Sequence, residues 1–129
     1  MADPPITVLI ADDDELFVSA LEAILAGDER IRIVGRAADG EVAVRLAGEL
    51  EPQVVIMDLS MPVLDGFDAT RQIRAALPET SVLILTGSAD PADMKRAEEM
   101  GAAGYVTKDR IASDLVPAIL AARENGKLS

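Results

Sequence analysis

The sequence predicts an α/β fold, namely a doubly wound (βα)5 sheet of five parallel strands with helices on both faces. Short runs rich in β-branched residues alternate five times with segments of helical periodicity, which indicates five βα units and a parallel sheet. The apolar runs at 8–10, 54–57 and 82–85 are continuous rather than alternating, as expected for strands that helices cover on both faces. Half of the residues are hydrophobic but only 2% are aromatic, and such an aliphatic core suits helices packed on a sheet.

The predicted strands are compact apolar runs separated by helical segments. In chain order they are ITVLIA, IRIVGRA, QVVIMD, SVLILTG and the weaker AGYVTK. Five βα units commonly adopt the strand order 2-1-3-4-5, in which the order reverses between strands 1 and 3. A ligand site is therefore expected in the crevice at the carboxyl ends of those two strands.

The predicted helices carry apolar stripes and terminal signals. The stripes are Phe17, Leu21, Ile24 and Leu25 in the first helix, Ala43, Leu46, Ala47 and Leu50 in the second, and Leu115, Ile119 and Ala122 in the last. Asp90 followed by Pro91 predicts a helix N-terminus, and Gly101 predicts the end of that helix. Residues 1–129 have the usual size of one domain, and 124–129 are expected to be the end of the last helix or the start of a linker.

Charge and residue types exclude several classes of function. The net charge of -11, from 12 basic and 23 acidic residues, opposes binding to nucleic acid or to an anionic membrane surface. The chain has no Cys and no His, which excludes disulfides, thiolate catalysis, most zinc sites and a Ser-His-Asp triad. Residues 1–14 lack a basic region and have too short an apolar run for a secretion signal, and no apolar stretch of about eighteen residues occurs, so a cytoplasmic protein is expected.

Acidic residues follow two strands that are expected to be neighbours. Asp12 and Asp13 follow strand 1, and Asp58 ends strand 3. Carboxylates this close repel one another unless a cation lies among them, and a site of oxygen ligands alone suits Mg²⁺. Adjacent residues of a strand point to opposite faces, so one of Asp12 and Asp13 is expected to bind the ion directly and the other through water, unless the strand has already ended.

A hydroxyl and an ammonium group are predicted at the same edge of the sheet. Thr86 ends strand 4 and Lys108 ends strand 5. A carboxylate such as that of Asp58 can attack a phosphoryl group to form an acyl phosphate, while Mg²⁺ and Lys neutralise the phosphoryl oxygens. The four strand ends together therefore favour phosphoryl chemistry.

The residues at these strand ends resemble those of a response-regulator receiver domain. The likeness rests on LIADDDELF, MDLSMPVLDG, ILTGS and GYVTKD, and it covers nearly the whole chain. It implies a flavodoxin-like fold and a signalling switch rather than a metabolic enzyme. It also implies Asp58 as the phosphorylated residue, with Mg²⁺ bound directly by Asp13, through water by Asp12, and by the backbone carbonyl of Ser60.

The same resemblance implies how the switch works and what it contacts. Thr86 and Lys108 would bind the phosphoryl group, Tyr105 would move after Thr86, and Ser60 and Ser88 would tune the phosphoryl lifetime. The expected partners are a histidine kinase or phosphotransfer protein, and a second copy of the chain in a homodimer after phosphorylation. Neither nucleic acid nor a membrane is an expected partner of this domain itself.

One departure from the family pattern points to a branch within it. Asp109 follows Lys108, where many members have a proline after a cis peptide bond. A cis bond before a residue other than proline costs about 3 kcal/mol, which argues against it here. The Lys-Asp pair resembles the branch that carries a C-terminal helix-turn-helix, and LIADDD and DLSMP agree with this. Both a stand-alone receiver and a part of a DNA-binding regulator stay open as interpretations.

Other interpretations of the same residues stay open. A flavodoxin-like cofactor carrier would share the fold, but its first loop should bind phosphate, and ADDDE would repel an anion. A Mg²⁺-dependent phosphohydrolase could use Asp12 and Asp14, which have the spacing of such enzymes. Asp14 is better explained as the N-cap of the first helix. A degenerate receiver would act by protein contact alone.

The Asp65-Gly66 pair is interpreted only as a turn before the third helix.

Overall fold

The computed structural model describes residues 4–87 and 90–128 and has the predicted α/β architecture. The strands are β1 (Ile6–Ala11), β2 (Ile31–Ala37), β3 (Val54–Asp58), β4 (Ser81–Thr86) and β5 (Gly104–Thr107). The helices are α1 (Glu15–Ala26), α2 (Gly40–Leu50), α3 (Gly66–Ala76), α4 (Pro91–Glu99) and α5 (Ile111–Leu128), the last preceded by a 3₁₀ turn at Lys108–Arg110. The assignment of 1–129 to one domain, with a helix end or linker at 124–129, stays a prediction.

The strand order of the sheet is the one that positions the site. All pairings are parallel, and the order is β2-β1-β3-β4-β5, as predicted. β1 lies directly beside β3, with Ala11 opposite Met57, so the residues that follow β1 meet the end of β3. β4 and β5 continue the same edge, with Thr86 opposite Thr107. The carboxyl ends of β1, β3, β4 and β5 thus form one continuous rim.

Two apolar layers, one on each face of the sheet, make up the core. Ile10 and Ile56 contribute to the layer shared with α1 and α5, whereas Leu9 and Val55 contribute to the layer shared with α2 and α3. Both faces of the central strands are therefore buried, which explains why their sequences are continuously apolar. Leu50 departs from its predicted stripe, because at the last position of α2 it lies across Gly35 and stays 41% exposed.

The predicted ends of α4 are confirmed. Asp90 is its N-cap and accepts a hydrogen bond from the backbone N–H of Ala92, with Pro91 at the first helical position. The helix ends at Glu99, and Gly101 follows with a φ of 101°, a left-handed conformation that glycine adopts without strain. All peptide bonds in the described ranges are trans, including the one after Lys108.

Within the described residues, no helix has the length and apolar character needed to cross a bilayer. The longest, α5, contains charged residues and Pro117.

Candidate functional site

Three carboxylates converge at the rim between β1 and β3. Asp12, Asp13 and Asp58 each bring an oxygen within 4.8 Å of the other two. Asp12 and Asp58 are buried, with Asp58 only 5% exposed, while Asp13 faces solvent. The predicted proximity follows from the sheet topology, because parallel neighbouring strands end at the same edge. β1 already ends at Ala11, so the alternation of strand side chains does not separate Asp12 from Asp13.

Lys108 reaches across the rim and pairs with two of these acids. Its Nζ lies 3.1 Å from Oδ2 of Asp12 and 3.6 Å from Oδ1 of Asp58. Burial opposes the charge of Lys108, but its contact with Asp12 and the negative charges of Asp58 and Asp12 together raise the pKa of Lys108 above its ordinary value. The lysine is therefore held as a cation beside the carboxylates.

Asp58 has a strongly perturbed carboxyl group. Burial and the charge of Asp12 raise the pKa of Asp58 from 3.8 to about 6, and Asp13 adds to the shift. The charge of Lys108 and a hydrogen bond from the backbone N–H of Ser60 act in the opposite direction. Burial is the largest cause of the shift and repulsion from Asp12 comes next, and a cation bound among the acids would relieve that repulsion.

The acid cluster fits a hard divalent cation such as Mg²⁺. Oδ2 of Asp12 is buried, and although Lys108 Nζ is close, this oxygen has no well-aligned hydrogen-bond donor. A buried carboxylate oxygen in this state favours a further positive partner. The three acids offer oxygen atoms alone, which Mg²⁺ prefers over nitrogen or sulfur.

Asp14 does not belong to this cluster. Its Oδ1 accepts hydrogen bonds from the backbone N–H groups of Leu16 and Phe17, which makes Asp14 the N-cap of α1, as predicted. Its own N–H donates to Oδ1 of Asp12 at 2.9 Å. This placement disfavours a phosphohydrolase that would use Asp12 and Asp14 as its catalytic pair.

Sequence reasoning missed how closely the loop after Asp58 is packed. Gly66 begins α3 and donates its N–H to the carbonyl of Leu59 at 3.0 Å. A Cβ atom at residue 66 would overlap the backbone oxygen of Asp58. The Asp65-Gly66 pair was predicted only as a turn, yet its glycine allows α3 to start directly against the backbone of Asp58. The motif DG after an acid-ended strand was the available signal.

Thr86 and Tyr105, the residues predicted to form the switch, are already in contact. Thr86 is buried at the end of β4, and Tyr105 is half-buried on the neighbouring β5. Burial raises the pKa of Tyr105, a hydrogen bond with Thr86 opposes this shift, and the charges of Asp93 and Asp90 add to it.

Of the two residues predicted to tune the phosphoryl lifetime, only one can be located. Ser60 is exposed in the loop that follows Asp58. Ser88 lies outside the described residues.

The sequence matches the family model of the response regulator receiver domain over residues 8–120. The chain belongs to this family. Receivers are signalling switches rather than metabolic enzymes, and receiver domains interact with histidine kinases and phosphotransfer proteins. The family assignment confirms the predicted fold and function class, and it does not favour the cofactor carrier or the phosphohydrolase.

Individual relatives agree with this assignment. The receiver is 36% identical over 121 residues to the transcriptional regulatory protein LnrK of Bacillus subtilis (strain 168), covering 94% of this chain and 55% of LnrK. It is 39% identical over 117 residues to LiaR, a transcriptional regulatory protein of the same strain, covering 91% of this chain and 56% of LiaR. The chain thus spans about half the length of these curated relatives.

A solved structure has the same architecture. The signal receiver domain of the putative response regulator NarL from Mycobacterium tuberculosis superposes with a TM-score of 0.89 at 31% identity. The match covers 95% of this chain and 98% of that domain. Together with the two transcriptional regulators, it agrees with the branch of the family predicted from the sequence.

Proposed function

We propose that this receiver accepts a phosphoryl group on Asp58 from a histidine kinase or a phosphotransfer protein, in a reaction that requires Mg²⁺. The observation that carries the proposal is the position of Asp58. Its carboxylate is buried at the rim, close to the acids Asp12 and Asp13, and the ammonium of Lys108 lies 3.6 Å away. A nucleophile, a cation site and a fixed positive charge are thus available to one phosphoryl group.

The proposed transfer uses groups of this chain at each step. An oxygen of Asp58 attacks the phosphorus of the donor phosphohistidine, an O–P bond forms, and the N–P bond breaks with its electron pair left on the imidazole. Mg²⁺, held by Asp13, Asp58 and the carbonyl of Ser60 and through water by Asp12, would neutralise charge on the phosphoryl oxygens. Lys108 exchanges its carboxylate partners for a phosphoryl oxygen.

Thr86 and Tyr105 carry the signal away from Asp58 in this proposal. The Thr86 hydroxyl turns toward a phosphoryl oxygen and gives up its hydrogen bond with Tyr105. Tyr105 then moves inward, and the surface formed by α4, β5 and α5 changes. Phosphorylation shifts the equilibrium between the two conformations only to the extent that the phosphoryl group interacts more favourably with one of them.

The biological setting is part of the same proposal. The receiver acts in the cytoplasm and forms a homodimer when phosphorylated. It controls transcription through a DNA-binding domain, as its similarity to the transcriptional regulators LnrK and LiaR suggests. Ser60 and Ser88 tune the lifetime of the phosphoryl group.

Intact mass after incubation with acetyl phosphate tests the central step. We expect one added phosphoryl group with Mg²⁺, none with chelator, and none on Asp58→Asn. Asp14→Asn is the matched control, because it removes an acid two residues from Asp12 while asparagine still caps α1. If the protein takes up no phosphoryl group and also binds no Mg²⁺, the proposal is wrong and a degenerate receiver acting by protein contact takes its place.

A further inference from the structure

A closed ring of four contacts joins the start of α1 to Lys108. Oδ1 of Asp12 accepts from the N–H of Asp14 at 2.9 Å, and Oδ1 of Asp14 accepts from the N–H of Phe17 at 3.2 Å. The Nζ of Lys108 lies over the ring of Phe17, 4.4 Å from its centroid, and 3.1 Å from Oδ2 of Asp12. The helix cap therefore sets where the aromatic ring stands relative to the lysine.

Phe17 gives the ammonium of Lys108 an aromatic contact in addition to its two carboxylate contacts. The side chain of Lys108 is 25% exposed, and a lysine has four rotatable bonds through which its ammonium could leave the rim for water. The π face of an aromatic ring attracts an ammonium group, more strongly where water is partly excluded. Phe17 is half-buried and packs against the core layer shared by α1 and α5, which restricts the positions its ring can take.

We propose that Phe17 is a positioning residue for phosphotransfer, which holds the ammonium of Lys108 above the acid cluster through a cation–π contact. The inference rests on the proposed function, in which Lys108 meets the transferred phosphoryl group. A lysine that is already held in position does not lose conformational entropy during the reaction. The barrier to transfer is therefore lower than for a mobile lysine. An aliphatic residue at position 17 could fill the same volume but would not attract the ammonium.

The test compares Phe17→Leu, which keeps an apolar side chain, with Phe17→Tyr, which keeps the ring. The first readout is independent of phosphorylation. With only three lysines in the chain, labelling lysine at Cε gives few NMR signals, and the ring current of Phe17 should move the Lys108 signal upfield. We expect this shift in the native protein and in Phe17→Tyr, and its loss in Phe17→Leu.

The second readout is the rate of phosphorylation by acetyl phosphate at saturating Mg²⁺. Phe17→Leu should be phosphorylated about three- to thirtyfold more slowly than the native protein, and Phe17→Tyr should retain most of the native rate. The Phe17→Leu change is then repeated in a Lys108→Gln background. A positioning role predicts that it has little further effect there, whereas a merely structural role would slow both backgrounds alike. Leu16→Ala, an exposed neighbour on α1, controls for changes in the helix.

The outcomes separate the two proposals. Equal loss of rate in both backgrounds, a native rate in Phe17→Leu, or failure of Phe17→Tyr to restore the rate would overturn the role of Phe17. If the native protein takes up no phosphoryl group, the proposed function and the kinetic role of Phe17 both fall. The Lys108 signal then decides by itself whether Phe17 holds the lysine.

Discussion

Replacing Asp58 by asparagine should stabilise the metal-free protein at neutral pH. The folded state raises the pKa of Asp58 from 3.8 to about 6, chiefly through burial and the charge of Asp12. Between these two values the folded protein binds more protons than the unfolded chain, so the free energy of unfolding falls as the pH rises through this window. Above about pH 6 the ionised Asp58 opposes folding to its full extent.

The magnitude follows from the size of the shift. Each pKa unit corresponds to about 1.4 kcal/mol, so a shift of this size represents up to about 3 kcal/mol at neutral pH. Asparagine has nearly the same shape and no charge to desolvate. Lys108 loses one partner in the variant, but it keeps the closer one, because Asp12 lies 3.1 Å from its Nζ.

Urea unfolding in the presence of chelator measures this prediction. At about pH 7.5 Asp58→Asn should have the higher free energy of unfolding, and the difference should shrink toward zero at about pH 4, where Asp58 is protonated in the folded native protein. Asp14→Asn changes the net charge equally and should show no such pH-dependent gain. Adding Mg²⁺ should stabilise the native protein more than Asp58→Asn. Equal stability at neutral pH, or a difference that does not depend on pH, would refute the reasoning.

Further predictions concern the two glycines of α2, the loop after Asp58 and the switch. Gly40→Ala should lower the free energy of unfolding by at least about 1 to 3 kcal/mol, because the new Cβ would overlap the carbonyl of Leu64. Gly48→Ala in the same helix places its Cβ in open space and should raise the free energy of unfolding by up to about 1 kcal/mol. Urea unfolding of both variants checks this, and the same sign for both would contradict it. Val63 is 75% exposed and has a φ of 70°. Because Leu64 donates its N–H to the carbonyl of Pro62, residues 62–64 form a γ-turn, and its central conformation is strained for a β-branched residue. Val63→Gly should therefore raise the free energy of unfolding by about 1 kcal/mol after the entropy of glycine is counted, and a loss in the same assay would show that the turn is not strained. Tyr105 is the one tyrosine of a chain without tryptophan, so its fluorescence should change on phosphorylation in the native protein but not in Thr86→Ala, and an unaltered response in that variant would disprove coupling through Thr86.

Much of the fold could be predicted because it depends on local patterns. The buried strands β1 and β4 are continuous apolar runs, and their observed bounds differ from the predicted ones by one residue at most. The strand order followed from the topology common to five βα units. Convergence of Asp12 and Asp58 could also be predicted, because parallel strands deliver the residues after them to one edge.

Contacts between separate elements could not be predicted in the same way. The contact of Phe17 with Lys108 depends on where α1 lies relative to the turn after β5, and the apolar stripe of α1 indicates only that Phe17 faces the protein. Likewise, the close approach of Gly40 to Leu64 depends on the packing of α2 against the loop after β3. Such distances are set by the packing of both core layers, and no short stretch of sequence determines that packing.

The run Asp12, Asp13 and Asp14 connects the stability of the fold with its proposed chemistry. A strand that continued through the run would have turned the first two acids to opposite faces, but β1 ends at Ala11, so both reach the cluster while Asp14 caps α1. Burial and the charge of Asp12 together raise the pKa of Asp58 and destabilise the metal-free protein, and relief of the repulsion between the two acids contributes to the affinity for a cation. A substitution that removes this repulsion should therefore stabilise the metal-free fold and weaken Mg²⁺ binding together, since both effects have one electrostatic origin.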